Sequence, residues 1–408
     1  MHDKETLSLM TMRRPDVLAN PYPFYDRLRR EAPILRDPLG VRVVSRYADV
    51  VGALQNPQLS ANRLDEVLAL RPDRENRDVG ELFGAIKRQM LFLDPPQHTR
   101  IRALAAKAFT PTRIERMKAT IQSIVDNLFE AALSRGRRMD VIADLGVPLP
   151  MLLIAEMLGV PTVDLPRLKQ WSADYSVFLG GTIAMSHEAM LHLAESMNEF
   201  MGYFRDLSAQ RRVEPKDDLL TALVQAEDKG DSLDRDDICA TSVLLITAGH
   251  ETTTNLIGNG TLALLRDPTA LARLRAEPSL LASAIEELLR FDSPVQISAR
   301  RAKEDFEIGG DRIVAGEVVY LVLGAANRDP LRFEEPDRLD LGRSTNRHLA
   351  FGQGPHYCIG AALARMEAQA ALGTLLFRFP EIRLVGEEPR FRPNPTLRGL
   401  ESLVVALG

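Results

Sequence analysis

Cys358 stands in the run Phe351-Gly352-Gln353-Gly354-Pro355-His356-Tyr357-Cys358-Ile359-Gly360, a glycine-punctuated loop that opens directly into a helical pattern. That setting suits a metal-ligating thiolate. The first amides of the helix, at Ile359, Gly360 and Ala361, offer N–H donors and the positive end of the helix dipole to a negative sulfur. Gly352, Gly354 and Gly360 permit positive φ and let a large flat ligand approach the backbone. About a hundred residues upstream, Ala248-Gly249-His250-Glu251-Thr252-Thr253 lies within a long apolar stretch. Gly249 removes bulk there, and Thr252 can turn its hydroxyl back to the Ala248 carbonyl and loosen the helix. Glu251 beside Thr252 pairs an acid with an alcohol, the two groups that proton delivery to a reduced oxygen requires.

FGQGPHYCIG resembles the FGxGxHxCxG haem-ligand signature of the cytochrome P450 superfamily and stands about fifty residues before the end of the chain, where that family carries it. AGHETT resembles the family's oxygen-binding AGxET pattern, and Glu287-Leu288-Leu289-Arg290 its ExxR pair. The resemblance implies that Cys358 is the axial thiolate of haem b, iron protoporphyrin IX, pushing electron density onto the iron. It implies that Thr252 hydrogen-bonds bound dioxygen and that Glu251 relays protons, with His250 a structural or surface-facing residue. Ala248, Gly249, Phe351, Gly352, Gly360 and Ala364 would line the cofactor. His98 and Arg102, spaced i, i+4 in DPPQHTRIRALAAKAFTP, match two propionate ligands; Arg300 and His356 match two more. Propionates taken out of bulk water need such cations. Arg301 is the rival for the place of Arg300. Glu287 and Arg290, joined by Arg338 of the PDRLD segment, would lock the chain before the cysteine.

The fold class implied is mainly α with a small β-rich part, the family's triangular helical prism enclosing haem between the long oxygen-site helix and the cysteine helix. The expectation is a single domain over 1–408, without a fused reductase or membrane anchor. The reaction implied is insertion of one oxygen atom from O2 into a hydrophobic small molecule, by hydroxylation or epoxidation. The pattern is closest to actinobacterial members that tailor polyketides, macrolides and related secondary metabolites, and a carrier-protein-bound substrate stays open. NAD(P)H electrons would arrive singly through a separate ferredoxin and ferredoxin reductase, docking near Lys107, Arg113, Arg343, Arg347 and Arg365. Substrate contacts are expected in 60–93, 171–201, 244–248, 294–298 and 396–397, with 60–83 as a mobile lid. Three alternatives remain: oxidative coupling, cyclisation or peroxide-driven oxidation on the same haem; a haem-based sensor or carrier; and a helical protein with a fortuitous cysteine loop.

These motifs need rigid carriers, and the apolar periodicity supplies them. Helices are expected at 22–31, 98–108, 112–134, 148–158, 164–177, 186–211 and 216–227, with a strand pair at 34–36 and 41–45. The longest pattern, 234–266, ends at Asp267-Pro268 and would span about 50 Å at the helical rise per residue. Its middle, SVLLITAG, is apolar on nearly every face, as a helix buried on all sides requires.

Two cysteines in 408 residues exclude a disulfide framework or a CxxC zinc cluster and suit a reducing cytoplasm. No apolar run near the ~20 residues of a membrane span, and no signal peptide, is evident. A net charge of -5 gives no basic field for nucleic acid. A monomer is expected.

Overall fold

The computed structural model describes residues 7–69, 71–181, 185–228 and 231–408. Its axis is the 32-residue helix Arg235–Arg266. Asp234 caps this helix by accepting from the Asp237 amide (2.7 Å), and Asp267 follows its last turn while capping the next helix, Pro268–Ala276. Every side chain from Ile238 to Thr247 is buried, because helices Pro148–Leu158, Leu165–Gly181, His187–Val213 and Ala361–Arg378 pack around it. Each fully buried leucine or isoleucine there contributes roughly 1.5–3 kcal/mol of apolar burial. Two crossings are especially close. A methyl added at Gly258 would lie 2.4 Å from Ile142 Cδ1, and one at Gly260 would lie 3.0 Å from Leu288 Cδ1.

The expected helices at 22–31, 98–108, 112–134, 148–158, 164–177 and 186–211 are found as Tyr22–Glu31, Gln97–Ala108, Pro111–Ser134, Pro148–Leu158, Leu165–Gly181 and His187–Val213. The helix expected at 216–227 is shorter, Leu219–Val224. Asp218 takes the cap position by accepting from the Thr221 amide (2.7 Å), and a strand pair begins at Glu227. The window Val141–Leu158 does have the length and mean hydropathy of a membrane span, contrary to the sequence expectation. It is a core element: 67% of it is buried, and it begins with a one-turn π-helix, Val141–Gly146.

The β-rich part is a five-stranded sheet in the order Ile34–Arg36, Arg42–Val44, Val318–Val322, Ile297–Ala302, Leu59–Ser60, parallel only between its second and third members. The segment expected to be a lid carries two helices, Leu64–Ala69 and Arg77–Lys87. Val79, Leu82, Phe83 and Ile86 of the second are fully buried, and a buried Arg71–Asp73 ion pair (2.7 Å) fixes the turn between the helices. The described part of the segment is therefore built as a wall of the core.

The helix Leu281–Phe291 ties the core to the cysteine loop through two adjacent glutamates. Glu287 and Arg290, both 0% exposed, form a two-point pair at 2.8 Å. Arg290 also donates to the carbonyls of Asn327 (2.9 Å), Pro336 (2.8 Å) and Arg338 (3.1 Å). The third charged member differs from the sequence expectation. Arg343 Nε reaches both Glu287 oxygens (3.2 and 3.1 Å), whereas Arg338 contributes its carbonyl and pairs its guanidinium with Glu335 at the surface. Arg343 is thus spent inside and is only 10% exposed, which removes it from the docking patch. Glu286 faces the other way, to Arg365 (2.6 and 2.8 Å) and His348 (3.1 Å). Burial alone would raise its pKa, but these donors outweigh burial and hold it at about 2.

Arg343→Ala should strip a counter-charge from buried Glu287 and destabilise the fold by about 3 kcal/mol. Arg338→Ala should leave the unfolding midpoint near that of the wild type. Thermal denaturation of both variants checks the assignment, and equal losses would overturn it.

Candidate functional site

The cysteine loop is shaped by its glycines. Gly352 (φ 69°) and Gly354 (φ 71°) sit in the left-handed region, and a methyl on Gly354 would come 3.0 Å from the Leu54 carbonyl oxygen. Gly352 donates to the Leu349 carbonyl (2.8 Å) and Cys358 donates to that of Phe351 (2.9 Å), which closes the loop. The helix that follows is Ala361–Arg378. Of the three amides expected at the sulfur, that of Gly360 hydrogen-bonds it, while the Ala361 amide goes to the Cys358 carbonyl (3.4 Å). Ala364, half-buried, continues the first turn by donating to the Gly360 carbonyl (3.0 Å). Phe351 is covered on one face by Arg365 (4.5 Å).

Cys358 is accessible to solvent, yet enough protein surrounds it that burial raises its thiol pKa, against the Gly360 amide and the charges of Arg102 and Arg365. Those two facts describe a sulfur that faces an enclosed cleft. The other cysteine, Cys239, is fully buried on the central helix, and burial pushes it to about 11. The central helix packs on the cysteine helix and turns an open face of its own. Ala248 is exposed and Gly249 and Thr252 are half-buried, although their helix crosses the middle of the molecule. A methyl on Gly249 would meet nothing within 4 Å. Thr252 Oγ1 donates to the Ala248 carbonyl (2.8 Å), as its position in the motif suggested.

Glu251 is buried, with one oxygen 3.5 Å from Arg392 and the other without a partner. His250 is half-buried rather than surface-facing; burial, with help from Arg392 and Lys169, lowers its pKa to about 4, so it is neutral.

A second group gathers basic side chains, two arginines and two histidines. His98 is 2% exposed with neither ring nitrogen bonded, and its ring lies 4.1 Å from that of His356. Arg102 donates to the Tyr357 carbonyl (2.6 Å). Arg300 is buried, donates to Ser298 Oγ (2.9 Å) and the Ala299 carbonyl (2.8 Å), and is pushed down to about 10 by burial and by Arg63. Strand alternation decides between Arg300 and Arg301. Arg300 points inward with the cluster, whereas Arg301 is half-buried and reaches the Asn62 carbonyl (3.4 Å). Burial and the neighbouring Arg300 hold His356 at about 3, so its ring is a neutral donor.

These residues fit haem: one thiol facing a cleft and, beside it, buried donors that call for carboxylates. Among the described residues no three His, Cys, Asp or Glu side chains cluster as they would to hold a bare ion, so Cys358 stands as a lone protein ligand. A surface cleft of about 490 Å³ lies apart from the cysteine, and its charges neutralise one another, as in Arg88–Asp234 (3.0 Å) and Arg100–Asp237 (2.7 Å). On the proposed docking face Arg365 is paired with Glu286 and Arg113 with Asp217 (3.2 Å), while Lys107 and Arg347 are exposed.

Sequence reasoning passed over Arg63, Arg392, Asn255 and Glu367. None belongs to a motif, and only the fold marks them: Arg392 reaches Glu251, Arg63 lies close enough to lower Arg300, and both side-chain atoms of Asn255 and one oxygen of Glu367 are unbonded inside the molecule.

The family model for "Cytochrome P450" matches residues 154–398. The chain is 42% identical to cytochrome P450 CYP107DY1 of Priestia megaterium, over 94% of this chain and 95% of that one. It is 39% identical to cytochrome P450 monooxygenase PikC of Streptomyces venezuelae, over 96% and 92%. Among solved structures it is similar to P450BioI in complex with hexadec-9Z-enoic acid ligated acyl carrier protein, with a TM-score of 0.88 and 38% identity over 96% and 99% of the two chains.

Glu367 provides a test of the buried polar interior. Burial raises its pKa from 4.5 to about 8, so the folded state holds a proton that the unfolded chain releases. Stability therefore falls as pH rises from 4.5 towards 8. Glu367→Gln removes that dependence. Its melting temperature should match the wild type at pH 4.5 and exceed it increasingly up to pH 8. Parallel melting curves across that range would contradict a buried protonated acid.

Proposed function

Because the chain belongs to the cytochrome P450 family and is a haem monooxygenase, we propose that it inserts one oxygen atom of O2 into a C–H or C=C bond of a medium to large hydrophobic metabolite. The observation that carries this reading is the pairing of an accessible Cys358 with the open Ala248–Thr252 face of an otherwise buried helix. Bound haem supplies an iron whose thiolate ligand favours O–O cleavage.

The chain's own residues do the rest. Cys358 would hold the iron through its sulfur, in the thiolate form that a bound cation favours. The Gly360 amide and the charges of Arg102 and Arg365 then favour its anionic form. His98, Arg102, Arg300 and His356 hold the propionates. Thr252, its proton committed to the Ala248 carbonyl, presents oxygen lone pairs to the cleft and accepts a hydrogen bond there. Glu251 keeps an unbonded oxygen within the buried interior and moves protons towards Thr252. Arg392 limits the swing of Glu251 by holding the other oxygen.

Electrons come from NAD(P)H through a separate ferredoxin and its reductase, docking near Lys107 and Arg347 in the cytoplasm. The P450BioI complex with a loaded acyl carrier protein supports a carrier-bound substrate as one form of delivery, and the relation to PikC supports a secondary metabolite.

Cys358→Ser should abolish the strongly red-shifted band of the reduced, carbon monoxide-bound protein; its retention would refute the ligand assignment. Glu251→Gln should slow product formation by on the order of 10²-fold. Thr252→Ala should keep consuming reductant while product per reductant falls. Measured coupling equal to wild type would remove Thr252 from proton delivery.

A further inference from the structure

Trp171 is the one tryptophan of the chain, and it stands 4% exposed on the helix Leu165–Gly181. Its Nε1 donates to a carboxylate oxygen of Glu199 (3.0 Å), an exposed residue of the neighbouring helix His187–Val213. The indole stacks on Phe200 with ring centroids 5.1 Å apart and lies 5.8 Å from the ring of Tyr203. Tyr203 repeats the arrangement: half-buried, it donates its hydroxyl to Asp164 (2.9 Å). Two adjacent oxidisable rings thus each share their exchangeable proton with a carboxylate that water can reach. Packing alone asks only for an acceptor, which any carbonyl supplies.

The guanidinium of Arg167 covers both rings, 4.8 Å from Trp171 and 5.9 Å from Tyr203. A cation there disfavours a positively charged ring radical. Loss of an electron is therefore accompanied by loss of the proton, and Glu199 and Asp164 are placed to accept it. The pair is also connected to the cysteine side of the molecule. Tyr175, one helical turn beyond Trp171, is fully buried and donates to Gln89 (2.5 Å). Gln89 leads into Met90–Phe92, and the Phe92 ring lies under Arg63 (4.6 Å), which is near enough to Arg300 and His356 to lower the pKa of both. A run of aromatic and hydrogen-bonded groups extends in this way from the propionate cations to Tyr203.

We propose that Trp171 and Tyr203 are a redox pair that drains an oxidising equivalent from the haem to the surface when no substrate is present to consume it, sparing Cys358 from oxidation. The inference rests on the haem monooxygenase reading and adds a protective activity to it. The oxidised haem, formed with O2 or with added peroxide, takes one electron from Trp171, whose Nε1 proton moves to Glu199. The neutral indolyl radical then takes an electron from Tyr203 and its proton back from Glu199, while the phenol proton moves to Asp164. A soluble thiol returns a hydrogen atom to the tyrosyl oxygen, and Asp164 releases its proton to water. The net change is one electron delivered to the haem, one thiol converted to a thiyl radical and one proton released.

The test mixes substrate-free, haem-loaded protein with hydrogen peroxide, freezes it at once and records the electron paramagnetic resonance spectrum, with ring-deuterated tyrosine or tryptophan to assign the radical. The wild type should give a tyrosyl signal that glutathione removes. Tyr203→Phe should leave the radical on tryptophan, and Trp171→Phe should lose the tyrosyl signal and bleach its haem faster. Glu199→Gln keeps the rings packed and an acceptor in place, yet should slow radical formation by on the order of 10²-fold. The absence of a radical, a tyrosyl signal that survives Tyr203→Phe, or unchanged radical yield and bleaching in Trp171→Phe and Glu199→Gln would each overturn the proposal. The reduced, carbon monoxide-bound spectrum of every protein controls for folding and reports separately on the haem reading, so failure of that reading is distinguishable from failure of this one.

Discussion

The position of the cysteine depends on a pair of charges that water never reaches. Glu287 and Arg290, both 0% exposed, meet at 2.8 Å at the end of an amphipathic helix. Such a pair recovers little net stability, because desolvation offsets the attraction, but every arrangement that separates the charges is heavily penalised. That asymmetry turns the pair into a fixed point. Arg343, the Asp340 amide and Asn346 add to Glu287, while Arg290 collects the carbonyls of Asn327, Pro336 and Arg338. Asn327 in turn accepts from the Leu349 amide (2.7 Å), one turn before the glycine loop. A long irregular segment is thereby held without regular secondary structure, and the loop inherits its placement.

Around the cleft, burial and charge work against each other in a consistent way. Burial raises the thiol of Cys358 and lowers the bases beside it, Arg300 to about 10 and His356 to about 3. Burial thus disfavours the charged form of each group, and a ligand of opposite sign favours it. A cation at the sulfur and carboxylates at the cationic group satisfy both at once. The site is accordingly assembled for one kind of guest, amphipathic in charge as well as in shape.

Much of this was legible in the sequence because the responsible constraints are local. Helix ends follow Asp, Asn and Pro signals, as at Asp234 and Asp267, and the loop glycines must sit at 352 and 354 because the backbone is left-handed there. What sequence missed is non-local. Arg338 and Arg343 lie five residues apart in one irregular stretch, and only the folded path shows which guanidinium turns inward. Arg63 carries no motif at all, and only the fold brings it near Arg300 and His356. The window Val141–Leu158 was misjudged for a related reason, since Pro and Gly within it obscure a run that the core buries.

The close crossings at Gly258 and Gly260 divide the molecule into regions of unequal evolutionary freedom. With Ile142 and Leu288 already at contact distance, a single added methyl on the rear half of the central helix must push apart the helices that carry the ion pair and the core. Mutation there is therefore a poor route to new substrate ranges. The wall contributed by 60–93 meets no such limit, since a methyl at Gly80 or Gly84 would touch nothing within 4 Å, and diversification by gene duplication or by directed evolution should concentrate there.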